Sequence, residues 1–114
     1  MALPPLTAEQ RAAALDKAAA ARRTRAELKV RLKRSDASLQ DVLDAGATDE
    51  AVGKMKVLAV LEAMPGVGKI KAARIMDRLE ISPSRRVRGL GVKQCEALER
   101  EFAQRQRQRR LREG

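Results

Sequence analysis

Phe102 is the only aromatic residue in 114, and that constrains the fold more than any other feature of the sequence. Sheet cores lean on aromatic and β-branched side chains. Here Val, Ile and Thr together number only 14. A chain so composed must close a small core from Leu, Val, Ile, Met and Ala. Helices do this readily, because thin Ala-rich faces let backbones approach and the sequence is rich in the best helix formers. The expected fold class is all-α, and the length suits one domain with an arm or tail.

Composition removes whole classes of chemistry. His, Tyr and Trp are absent, and Cys95 is the single cysteine. That excludes a Cys/His zinc site and any Ser-His-Asp or Cys-His machine. It also excludes an intramolecular disulfide. With no secretory pattern at Met1-Ala2-Leu3-Pro4-Pro5, the expectation is a reducing, cytoplasmic setting. No run approaches the ~18 apolar residues of a membrane span. One Phe cannot build a platform for stacking single-stranded bases. What remains is a soluble, helical protein with 25 Lys+Arg against 15 Asp+Glu, a net charge of +10. Charge of that size favours a polyanionic partner.

The charge is segregated. Residues 1–34 carry nine basic and three acidic side chains; residues 35–64 carry two and six; residues 65–92 carry seven and two. Such blocks suggest one face for the polyanion and another turned away. Residues 8–34 contain no Gly or Pro, so the spacing predicts one long helix of roughly 40 Å at ~1.5 Å per residue. Thr7 and Gln10 have capping-box spacing, and Pro4-Pro5 holds the preceding chain out of the helix. Arg22, Arg25, Lys29 and Lys33 form a stripe along it. Arg22 to Arg34 holds seven positive charges against Glu27 alone. Like charges at i, i+4 repel, so the stripe reads better as a phosphate-facing surface than as a merely solvated one. Further short helices are expected from Ser38 to about Asp44 with Gly46 as a C-terminal stop, near 49–54, over 56–63, over 69–79 with Ala72, Ile75, Met76 and Leu79 inward, and from Val92. Cys95 is expected to be a small core residue beside Leu98 and Phe102. The organisation predicted is an arm and long basic helix at 1–34, a domain at 35–103, and a basic, disordered tail at 104–114.

The most informative segment is Met64-Pro65-Gly66-Val67-Gly68-Lys69-Ile70-Lys71. One helix ends at Pro65, two glycines free the backbone, and another helix begins. Gly66 and Gly68 can take positive φ and present free N–H groups at a helix N terminus, which with the helix dipole makes an anion site. Lys69, Lys71 and Arg74 add positive charge, and Val67 anchors the turn. A Walker A loop would need Gly at position 63 and Ser or Thr at position 70, where the chain has Ala63 and Ile70. A dinucleotide fingerprint would need a preceding strand. The bland alternative is a Gly-rich connection with no ligand. The segment Arg85-Arg86-Val87-Arg88-Gly89 is a second phosphate-binding candidate, placed just before a helix.

Leu61 to Lys69 resembles the turn of helix-hairpin-helix and helix-two-turn-helix DNA-binding proteins. Taken with Leu3-Pro4-Pro5-Leu6-Thr7, Gln10–Leu15, Leu32-Lys33-Arg34, Gly53–Val57 and Arg85–Gly91, the chain resembles the actinobacterial integration host factor family over about residues 2–103. The resemblance implies a long N-terminal helix packed on a helix-two-turn-helix domain, similar to a small-subunit ribosomal protein. It implies a nucleoid-associated protein with roles in nucleoid organisation, transcription and site-specific recombination, and a DNA-binding surface that includes the Arg85–Arg88 loop. The chemistry agrees on duplex DNA as partner. The chain has many phosphate donors but no Asn, and its Gln residues lie mainly near its ends, so direct base readout would lean on Arg. The expected protein is monomeric when free, needs no cofactor, and bends or compacts DNA with little sequence preference. Structured RNA is the alternative partner. An enzymatic role is not expected. Where helix-hairpin-helix repair enzymes carry a catalytic Asp, this chain has Arg85 to Arg88, and it is too short for a base-flipping pocket.

Overall fold

The computed structural model describes residues 5–113, with side chains described through Arg105. Among the described residues six helices follow one another: α1 Ala8–Lys33, α2 Leu39–Thr48, α3 Glu50–Gly53, α4 Val57–Ala63, α5 Gly68–Arg78 and α6 Val92–Glu113, with a 3-10 turn at Val87–Gly89 before the last. The expected all-α architecture, a long first helix on a small helical domain, is what folds. Among the described residues no helix is long and apolar enough to cross a membrane.

Local chemistry sets most boundaries. Thr7 Oγ1 accepts from the Gln10 amide at 3.1 Å, and Gln10 Oε1 accepts from the Thr7 amide at 2.9 Å. This is the reciprocal capping box read from the sequence; Pro4 lies outside the described residues. Ser35, at φ 64°, turns the chain out of α1. Ser38 and Asp41 form a second capping box that opens α2. The Ser38 backbone and hydroxyl donors, helped by the Arg31 charge, hold the Asp41 carboxyl below the usual carboxylate range. Asp49 Oδ1 accepts from the amides of Ala51 and Val52 and starts α3.

Two boundaries differ from expectation. Gly46 does not stop α2, which runs on to Thr48. It is buried inside the helix, where a Cβ would stand 2.5 Å from Val87 Cγ1. The residue is small because α2 packs tightly on the 3-10 turn, not because the helix ends there. At the other end, α6 continues to Glu113, over most of the expected disordered tail at 104–114. Gln and Arg are good helix formers, and no Gly or Pro interrupts them before Gly114.

One apolar cluster joins the elements. Leu28 and Leu32 of α1 meet Val42 of α2, Val57, Val60 and Leu61 of α4, Ile75 and Met76 of α5, and Leu98 and Phe102 of α6. In contrast, residues 8–18 of α1 are exposed throughout, Leu15 at 68%. The N-terminal half of the helix therefore stands clear of the core, tethered by the Lys17–Glu50 ion pair at 3.5 Å. Cys95 is half-buried rather than core. Burial, then the Glu99 and Glu96 carboxylates, push its thiol up and away from reactivity.

Candidate nucleic-acid interface

The turn between α4 and α5 is built by backbone geometry. Gly66 and Gly68 both adopt left-handed conformations, φ 74° and 66°. Other L-residues enter that region at a cost of roughly 1–2 kcal/mol. Between them Val67 is buried at 6% exposure, and its amide donates to the Met64 carbonyl at 3.2 Å. The side chain thus pins the turn while its neighbours face outward. A Cβ placed on Gly66 or Gly68 would meet nothing within 4 Å. The space outside both glycines is open, as close approach of a ligand backbone requires.

Electrostatics make that space attractive to an anion. No side chain caps α5, unlike α1, α2 and α3, so its first amides keep their donor capacity at the positive end of the helix dipole. Lys71 Nζ reaches back to donate to the Gly66 carbonyl at 3.3 Å. This covers an oxygen that would repel phosphate and leaves the ammonium beside the amides. Lys69 and Arg74 are exposed on the same helix. Arg78, one turn further on, is instead paired to Glu101 of α6. Ile70, 72% exposed beside the turn, is a surface residue that sequence reasoning used only to reject a Walker A loop.

The arginine loop is a more structural object than its composition suggests. Val57 donates to the Arg85 carbonyl and Val87 to the Met55 carbonyl, each at 2.9 Å. These bonds fasten the loop to the start of α4. The Arg86 guanidinium donates to the Lys54 carbonyl, and Arg85 Nη1 to the Gly89 carbonyl at 3.1 Å. Arg88 lies over Gly53, where an added Cβ would sit 3.1 Å from its Nε. All three arginines stay exposed, but Arg85 and Arg86 also hold the loop in shape. The loop meets one end of α4 and the glycine turn follows the other, so about 10 Å of helix separates them.

The third basic element is on α1. Arg22, Lys29 and Lys33 are exposed and Arg25 is half-buried, beside the seam where Leu28 and Leu32 enter the core. None of the four forms an ion pair among the described residues. Among those residues there is also no group of carboxylates and thiols that could hold a metal ion.

Residues 32–102 match the S13-like H2TH domain family. The chain is 67% identical over 102 residues to an integration host factor of Streptomyces coelicolor, covering 90% of this chain and 95% of that one. It is 64% identical over 102 residues to an integration host factor of Mycobacterium tuberculosis, covering 90% and 97%. Among solved structures it is similar to sIHF bound to an 8-base-pair palindromic DNA, at 62% identity and a TM-score of 0.75, over 76% of this chain and 98% of that one.

Proposed function

This chain belongs to the integration host factor family, is not an enzyme, and, we propose, acts as a nucleoid protein of the cytoplasm that binds duplex DNA through its phosphates, with little sequence preference, and bends or compacts it. The observation that carries this reading is the turn at Gly66 and Gly68, with left-handed φ at both and open space beyond both. A backbone can approach the uncapped amides of α5 only at such a place. The DNA complex of a relative 62% identical to this chain supports the same partner.

In this reading Pro65, Gly66, Val67 and Gly68 shape the phosphate site, and Lys69, Lys71 and Arg74 add charge to it. Arg85, Arg86, Arg88 and Gly89 form a neighbouring contact. Arg22, Arg25, Lys29 and Lys33 form a separate one on α1. Phosphate contacts fix position without reading sequence, so the affinity comes mainly from counterion release. Nucleoid organisation, transcription and site-specific recombination are the processes such a protein serves, acting as a monomer when free.

Two separate basic surfaces are what bending requires. Deforming ~20–30 base pairs by 40–90° costs on the order of 1–6 kcal/mol, and a single patch gives no lever against DNA stiffness. Changing Arg22, Arg25 and Lys29 to Ala should weaken binding modestly while bending, seen by single-molecule imaging of linear DNA, falls disproportionately. Normal bending at saturating protein would reduce α1 to a scaffold. The S13-like character of the domain favours structured RNA as the second reading. Competition between duplex DNA and a folded RNA at one salt concentration separates the two, and preference for the RNA would overturn the first.

A further inference from the structure

We propose that Ile70 is the apolar contact of the phosphate site: it packs on the deoxyribose beside the phosphate that the glycine turn holds, and supplies a part of the duplex affinity that salt does not screen. The proposal rests on duplex DNA being the partner. Ile70 is the third residue of α5 and is 72% exposed. The buried face of that helix carries Ala72, Ile75 and Met76. At ~100° per residue Ile70 lies roughly 160° around the helix from Ala72, so no rotamer returns it to the core. Lys69, Lys71 and Arg74 beside it are all exposed. On the solvent side of α5, Ile70 is the one large apolar side chain.

Isolated apolar residues on a surface are common, and Leu6, Leu15 and Val30 are exposed in or before α1. Ile70 differs in its place. Helical side chains lean toward the helix N terminus, so that of Ile70 lies toward the turn carrying Gly66 and Gly68, where a Cβ would meet nothing within 4 Å. A surface built for phosphate alone would gain from a third cation at this position, and Lys is also the better helix former. Ile offers instead an apolar face whose burial is favourable. A duplex supplies the cover. Each backbone phosphate is bonded to a sugar on either side, so a phosphate seated on the first amides of α5 brings a deoxyribose with it. The C–H surface of that sugar is the apolar part of the DNA backbone. Lys69 and Arg74 attract the flanking phosphates, and Ile70 fills the space between. One side chain is far too small an area for a stable protein–protein contact, which argues against a protein partner at this spot.

The test is the affinity of full-length Ile70→Ala, Ile70→Thr and Ile70→Val for a mixed-sequence duplex across salt concentrations, alongside Gly68→Val. Thr and Val have nearly the same shape and differ by a hydroxyl, so that pair separates apolarity from volume. The thermal transition, followed by circular dichroism, should be unchanged in all three variants, because the side chain is exposed. The Ala and Thr variants should bind about three- to tenfold more weakly at every salt concentration. Their plots of log K against log salt should run parallel to that of the unaltered chain, and the Val variant should recover most of the loss. Ala and Thr variants within about twofold of the unaltered chain overturn the contact. So does a loss that comes with a shallower slope, which would make the effect electrostatic. The underlying reading fails by a different signature: the unaltered chain prefers folded RNA, or Gly68→Val binds duplex as tightly as the original.

Discussion

Gly68→Val should lower duplex affinity by an order of magnitude or more while leaving the protein folded. Gly68 sits at φ 66°, where a β-branched residue is a genuine outlier. The chain must either hold a strained turn or rotate the peptide out of it. Both responses displace the amides at the start of α5. The body should survive, because a Cβ there meets nothing within 4 Å and the neighbouring Val67 keeps its place in the core. A tenfold loss corresponds to about 1.4 kcal/mol, close to the worth of one hydrogen bond to a charged group. A fluorescence-anisotropy titration checks the affinity, and the thermal transition checks folding. A folded variant with unchanged affinity contradicts the site.

Leu61→Ala should cost about 2–5 kcal/mol of stability. Leu61 is fully buried in α4, at 0% exposure, among residues from α1, α2, α5 and α6. Its removal leaves a cavity under the turn that the aliphatic core cannot fill without moving α4 against α5. Domains of this size hold only about 5–15 kcal/mol in total. The melting temperature should therefore fall by about 10 °C or more. Thermal unfolding followed by circular dichroism measures it. A loss below about 1 kcal/mol would mean that the helices close over the gap. The variant should also bind DNA more weakly near its lowered melting temperature, because the turn is shaped by the core beneath it.

What the sequence made legible was local. The Thr7–Gln10 box involves residues three apart, and the left-handed glycines follow from two Gly flanking one Val between helices. The inward face of α5 follows from helical spacing. What stayed hidden depends on distant partners. Gly46 reads as a helix stop until Val87 is seen against it. The Arg86 bond to the Lys54 carbonyl spans 32 residues, and the Arg78–Glu101 pair spans 23. Composition alone cannot divide arginines between shaping a loop and meeting a ligand. The reach of α6 was hidden for another reason. A Gln/Arg-rich stretch satisfies the signature of disorder and the preferences of a helix alike, and the anchored turn at Phe102 favours the helix.

Neutralising phosphates is what drives binding in this reading, and its signature is salt dependence. Binding of the full chain to a mixed-sequence duplex, titrated over a range of monovalent salt, should give log K against log salt with a slope of about −5 to −7, as expected for five to eight neutralised phosphates. A slope near −1 would contradict the account, leaving the basic turn, loop and helix stripe as bystanders to some other mode of binding.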